Sequence, residues 1–305
     1  MEQKQKQEFD RTKTYYKVLN PDLIHYGFKY QLGLNVDIVP FNPKGASTSG
    51  GLYFTDKEHL HEYLQHSNLI ANIKIPEDAQ VYRDPEGNKW KADKIEILSI
   101  TPISEHELLF SYAYWMDIVK KDGYALRLVP KELKDESICM AAVQQYGCAL
   151  DYIPEELKNE SICLAAVQQN GYAMYFVPSK FKTKEFYKLA LQDYLYYLMN
   201  VPEKLRDRDM CLMSVQKQGW SLEHVPLELR DYEICHKAIE QYGSAIKFIP
   251  DEIKNEYMCM RAAKTDGTLL KFIPEKLKTK EICIAAVKQN NSAMQYVPEQ
   301  FKKDF

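Results

Sequence analysis

No apolar run in this chain approaches the roughly 20 residues that a helix needs to cross a bilayer, so no membrane-spanning segment is expected. The first residues lack the apolar stretch of a secretory signal. Polar and highly charged, residues 1 to 14 read as a disordered arm. An excess of one charge is missing too. Forty Lys and Arg face 43 Asp and Glu, a net charge of −3, so bulk electrostatics give no case for nucleic-acid binding. The seven cysteines are odd in number and have no short-range pairs. That excludes a simple disulfide framework and fits a reducing compartment, hence a cytoplasmic protein. With 305 residues, 45% hydrophobic and 27% charged, the chain is long enough for two soluble domains.

What the chain does have is a beat. Pro130, Pro154, Pro178, Pro202, Pro226, Pro250, Pro274 and Pro298 fall 24 residues apart, and Cys139, Cys163, Cys211, Cys235, Cys259 and Cys283 keep the same step, with Tyr187 in the missing place. A fixed period of this length marks stacked structural units. Counting from each Pro, position +5 is Asp135, Asn159, Thr183, Asp207, Asp231, Asn255 or Thr279, each able to cap a helix N-terminus. Position +17 is Gly147, Gly171, Gly219, Gly243 or Gly267, which predicts a left-handed stop at the helix C-terminus. Between cap and stop, Ile138, Cys139, Ala142 and Val143, and their equivalents, share one face. A second short helix is expected to break at the Pro and resume as a single turn. The pattern extends back to Ser111 and Gly123, which gives eight units from about 107 to 298 and a truncated tail to Phe305. One unit buries too little to fold alone, so residues 107 to 305 are predicted to form an all-α solenoid.

The pattern Val-Pro-x-x-Leu-Lys, then Cys-x-x-Ala-Val, then Gly-x-Ala-Leu resembles an uncharacterised repeat domain found in amoebae, their bacteria and their giant viruses. The resemblance implies a helical repeat with no known catalytic activity.

Several repeating residues invite a functional reading. A single file of cysteines about a helix-packing distance apart, roughly 8–10 Å, suits neither disulfides nor zinc, so the ladder reads as small core residues. Cys148 lies off it. Position +4 is basic throughout, including Lys134, Lys158, Lys182, Arg206, Arg230, Lys254, Lys278 and Lys302. This series is either a track for phosphates or an acidic partner, or a set of cations facing carbonyl groups at the ends of helical turns. In the unit from 179 to 202, Leu195 replaces Gly, and Tyr194, Tyr196 and Tyr197 crowd one stretch. Such tyrosines serve as interface anchors or repack a bend.

Residues 15 to 105 follow other rules and predict a small α+β domain with mostly antiparallel strands, near Leu52 to Phe54, Leu69 to Ile75 and Lys94 to Ile100. Asp56 is expected to cap a helix running to about Gln65. Turn-forming residues fill 42 to 51, and Pro85-Glu86-Gly87-Asn88 reads as a turn. His59, His61 and His66 lie close in sequence, but only the first and last share a helix face, so no metal site is expected. The blocks Tyr16-Lys17-Val18-Leu19-Asn20, Gly50-Gly51-Leu52-Tyr53-Phe54 and Lys89-Trp90-Lys91-Ala92-Asp93 resemble the opening module of many repeat proteins of giant viruses of amoebae. That resemblance suggests a viral protein in host cytoplasm, with the repeats as the variable recognition part.

Two functions follow as expectations. In the first, the chain is an adaptor without a cofactor, its repeats recognising a host or viral protein. The second rests on Gly51-Leu52-Tyr53-Phe54 and the strand after it, which are similar to the poly-ADP-ribose polymerase fold. That similarity implies an ADP-ribosyltransferase in which His25, Tyr53 and Glu96 hold and polarise NAD, Ser47, Thr48 and Ser49 contact a phosphate or ribose, and the repeats select the target. Glu96 lies nearer Tyr53 in sequence than that family's pattern has it.

Overall fold

The computed structural model describes residues 9–43, 48–84, 88–193 and 197–303. The chain divides into two compact units, Met1–Ala141 and Ala142–Phe305.

Among the described residues, the first unit has nine strands: β1 (Tyr15–Leu19), β2 (Ile24–His25), β3 (Phe28–Lys29), β4 (Gly33–Val36), β5 (Leu52–Phe54), β6 (Leu69–Lys74), β7 (Val81–Arg83), β8 (Trp90–Ala92) and β9 (Lys94–Pro102). One antiparallel sheet has the order β1-β6-β9-β4, a second has β5-β8-β7, and β2 and β3 form a hairpin. An isolated bridge between Tyr16 and Thr55 links β1 to the strand β5. Tyr15, Leu52, Phe54, Ile73, Trp90, Ile95 and Ile97 meet in one core. Phe9 and Arg11 fall in the stretch read as an arm, yet they are held against this core. Phe9 stacks on Tyr15 at 4.9 Å, and the Arg11 guanidinium donates to the Pro76 and Ala79 carbonyls at 2.5 and 2.8 Å.

The helix expected after Asp56 is instead a 3-10 helix, Leu60–His66. Asp56 accepts from the backbone N–H and the ring of His59 at 3.1 and 2.7 Å, and so ties up the turn rather than an α-helix. The first repeat belongs to the same compact unit as the strands. His61 Nε2 lies 3.3 Å from Asp122 Oδ2, and Arg127 donates to Gln65 at 2.9 Å.

The repeats alternate α-helices with 3-10 turns. The helices that carry a side-chain cap are α1 (Tyr112–Lys121), α2 (Glu136–Gln145), α3 (Glu160–Gln169), α4 (Lys184–Ala190), α5 (Arg208–Lys217), α6 (Tyr232–Gln241), α7 (Glu256–Thr265) and α8 (Lys280–Gln289). Their starts are 24 residues apart, the step read from the prolines. The expected caps are in place: Ser111, Asp135, Asn159, Thr183, Asp207, Asp231, Asn255 and Thr279 each accept from the backbone N–H three residues on. Each such cap contributes about 1 kcal/mol. Pro130, Pro154, Pro178, Pro202, Pro226 and Pro274 each sit between two 3-10 segments, as at Pro154 (φ −55°, ψ 141°) between Gly147–Tyr152 and Glu155–Leu157, whereas Pro250 is followed by a turn and Pro298 by a four-residue α-helix, Glu299–Lys302.

The glycines at +17 correct the sequence reading. None of them has positive φ. Each opens the 3-10 segment and lies against the next repeat. At Gly147, Gly219 and Gly267 an added Cβ would fall inside the van der Waals shell of the carbonyl oxygen of Ala166, Ala238 or Ala286. Glycine is there for close backbone approach, not for a left-handed stop.

Candidate functional site

The repeats spend their conspicuous side chains on themselves. The ladder cysteines are buried and free. Burial pushes their thiols up, to about 11 at Cys163 and about 12 at Cys235, so they stay protonated at neutral pH. Tyr187 fills the missing rung and is buried like the others. Cys148 is half-buried.

The basic series at +4 points inward. Lys158, Arg206, Arg230, Lys254 and Lys278 donate to the carbonyls of Phe176, His224, Phe248, Phe272 and Tyr296, at 3.5, 2.6, 2.6, 2.7 and 3.1 Å. Each cation thus ties the turn before an α-helix to the end of the 3-10 segment after it. Arg206 and Arg230 also donate Nε–H to Val201 and Val225 at 2.9 Å. Lys134 and Lys182 are half-buried at equivalent positions. Of the two readings of this series, the geometry favours cations facing carbonyls over a track open to a partner.

A second device had no place in the sequence reading. The residue at +15 reaches back to the preceding repeat. The side-chain carbonyls of Gln169, Gln241 and Gln289 accept from the N–H of Gly147, Gly219 and Gly267 at 2.5, 3.2 and 2.5 Å. Asp193 does the same for Gly171 at 2.7 Å. Lys217 donates to the carbonyls of Leu191 and Gln192 at 2.7 and 2.6 Å, in the repeat that lacks the glycine. A polar residue recurring at +15 was the available signal.

Of the tyrosines proposed as anchors, Tyr194 and Tyr196 lie outside the described residues. Tyr197 is half-buried, with its ring 5.3 Å from that of Trp220. A different aromatic group is exposed across α6 and α7. Tyr232 (56% exposed) and Tyr257 (47%) flank His236, with ring centroids at 5.6 and 5.2 Å. Both tyrosines sit in the first turn of their helices, facing away from the stacked core, so tyrosine at +6 and +7 was the legible sign.

The strand-rich unit holds a cavity of about 380 Å³ beside the Tyr16–Thr55 bridge, and a smaller one of about 170 Å³. His25, Tyr53, Lys17 and Tyr26 line both. The structure therefore brings His25 and Tyr53 together, with Thr48 and Ser49 at the smaller cavity, whereas Ser47 lies outside the described residues. Thr48 presents its carbonyl to the Tyr53 hydroxyl at 2.9 Å and its own hydroxyl to Lys91 Nζ at 3.0 Å. Glu96 is not brought in. It lies on the face of β9 opposite the core residues Ile95 and Ile97 and lines neither cavity. The carboxylate that does line the smaller cavity, Asp37, accepts from the backbone N–H groups of Gly51 and Val39 at 2.6 and 3.0 Å. A His, Tyr and Glu set for polarising NAD is therefore not assembled from these residues.

The residue that the sequence reading passed over is Lys17. It occupies an inward position of β1 between Tyr15 and Leu19 and is only 3% exposed. Its Nζ donates to the Tyr53 carbonyl at 2.7 Å, lies 3.5 Å from His25 Nδ1 and stands 4.5 Å from the centre of the Tyr30 ring. Burial drives its ammonium down to about 7. Burial, then Lys17 and Lys89, holds the His25 imidazole down at about 4. Among the described residues no group of three or more His, Cys, Asp or Glu is placed to hold a metal. His59 pairs with Asp56, and His61 faces the Glu58 carbonyl and Asp122.

Comparison with known proteins follows the same division. The family described as "Domain of unknown function (DUF4116)" matches residues 114–158, 135–182, 159–206, 183–230 and 255–302. The chain belongs to this family. Repeat α6, outside those matches, has the same cap and helix length as its neighbours. Relatives come from Acanthamoeba polyphaga mimivirus. One, named as an ankyrin repeat protein, is 37% identical over 89 residues, 28% of this chain and 44% of the relative. A second of the same designation is 30% identical over 97 residues, 28% of this chain and 32% of the relative. An uncharacterised mimivirus protein is 35% identical over 68 residues, 22% of this chain and 49% of the relative. The chain thus spans less than half the length of these curated relatives. No solved structure matches. No helix among the described residues is long and apolar enough to cross a membrane.

Proposed function

We propose that this is a protein-binding repeat protein of viral type, acting as an adaptor in host cytoplasm, with the repeats recognising a host or viral protein. The observation that carries the reading is the Tyr232–His236–Tyr257 group, an exposed aromatic run shared by two successive repeats. Tyrosine is over-represented among the residues that dominate protein interfaces, and stacked repeats offer continuous surfaces for them. The repeat cations and cysteines are committed to the fold, which leaves the outer helix faces to recognition. Relatives named for ankyrin repeats, another stacked architecture, support the same reading.

The test is capture from Acanthamoeba lysate by the full chain, compared with a Tyr232→Ala, Tyr257→Ala double variant whose unfolding midpoint matches the parent. A partner retained by the parent and at least tenfold depleted with the variant is the expected result. Equal capture by both removes the aromatic run from the account.

A further inference from the structure

The larger cavity is unusual in its charge. Lys17, His25 and Lys89 line it, and none of the described residues around it is an acid. Lys89 has Asp84 at 3.8 Å, but Lys17 ends on a carbonyl, an imidazole nitrogen and a ring face. A cation taken out of water beside neutral dipoles alone is poorly compensated. Four tyrosines, Tyr16, Tyr26, Tyr53 and Tyr63, give it flat aromatic surface beside smaller residues such as Asn20, Thr55 and Ser67.

The mouth carries a second, independent sign. Tyr26 and Gly27 form the two-residue turn between β2 and β3, with φ of 50° and 79°. That turn favours Asn-Gly, yet here a tyrosine takes the left-handed place. The residue is 85% exposed, and its ring lies 4.4 Å from that of His25. A bulky side chain held in strained backbone at the rim of a cavity is a feature that clusters at ligand sites. The volume, about 380 Å³, falls within the ~300–1,000 Å³ usual for small-molecule sites.

We propose that this cavity binds a small planar aromatic anion, its carboxylate or phosphate group received by Lys17 and Lys89 and its ring lying among Tyr26, Tyr53 and Tyr63. The anion supplies the counter-charge that Lys17 lacks, and the tyrosine faces supply stacking surface.

This site has a proton signature. The groups facing Lys17 are His25 from β2, Tyr30 after β3 and Tyr53 from β5, with Tyr16 and Lys89 also lining the cavity and Asp37 at the adjoining one. His25, pushed down to about 4, stays neutral between pH 6 and 8, while Lys17, at about 7, loses its proton there. An anion favours the charged lysine. Affinity is therefore full below pH 7 and falls as pH rises through it, by about tenfold between pH 6 and 8 for a ligand that does not itself titrate.

The test is calorimetry on the full chain with 2-naphthoate, 2-naphthyl phosphate and neutral 2-naphthol. At least one anion is expected to saturate with a Kd below about 1 mM at pH 6, the two anions separating carboxylate from phosphate recognition. Naphthol should bind at least tenfold more weakly. A carboxylate ligand should lose about tenfold in affinity from pH 6 to 8, and a ligand bound at pH 8 should bring close to one proton with it, read from two buffers of different ionisation enthalpy. Lys17→Met should abolish the pH dependence, and the proton uptake of the unmodified protein gives the same answer if that variant does not fold. The proposal is overturned if neither anion saturates, if naphthol binds as well, or if binding takes up no proton at pH 8.

Discussion

Arg230 in the repeats and Lys17 in the strand-rich unit are both cations drawn in from solvent, and their surroundings differ. Arg230 spreads its guanidinium over the carbonyls of Val225, Phe248 and Glu223. Lys17 has one carbonyl and otherwise faces an imidazole, a ring and a cavity. The first arrangement recurs at a 24-residue step through Arg206, Arg230, Lys254 and Lys278, each of which donates to a carbonyl at the end of the following 3-10 segment. The second belongs to no repeat, and it leaves Lys17 on the wall of a cavity. In the repeats the periodic cations build the fold, whereas Lys17, aperiodic and buried, faces a cavity.

That contrast can be broken or sharpened by substitution. The largest effect is expected at Gly267→Ala, where the new methyl meets the backbone of Ala286 in the next repeat, which has no side-chain freedom with which to yield. A loss of about 3 kcal/mol in urea unfolding is predicted, the upper end for overpacking. If Gly267 were merely a conformational stop, its negative φ would make alanine neutral or stabilising. A smaller effect, about 1 kcal/mol, is expected for Asn159→Ala, which removes the side-chain acceptor from the Ile162 N–H at 2.9 Å. An unchanged midpoint there would mean that the caps read so easily from the sequence add little.

The repeat was legible because its period is strict and its caps are local. Asp207 or Thr279 needs only its own turn to be recognised. The glycines were misread because close approach to a neighbouring backbone leaves the same mark in a sequence as a left-handed stop. Two long strands, β6 and β9, were readable from alternation, whereas β1 and β8 were not. Lys17 and Lys91 sit at inward positions there and erase the apolar pattern, Lys91 being 0% exposed. The same irregularity hid the site. His25 and Tyr53 were found by their resemblance to a known arrangement and do share a cavity, but Glu96 belongs to the opposite face of its strand. The lysine between them falls in a strand whose pairing to β6 and bridge to Thr55 are set by residues distant in sequence.

The claim that repeat charge is structural is tested most directly at Arg230. Replacing it with methionine keeps much of the apolar stem and removes the donors to Val225 and Phe248. Urea unfolding of Arg230→Met, at low salt and in about 1 M salt, where screening reaches roughly 3 Å, should show a loss of about 2 kcal/mol in both. A change within about 0.5 kcal/mol, the usual range for a solvated surface residue, would contradict the account and return the basic series to solvent.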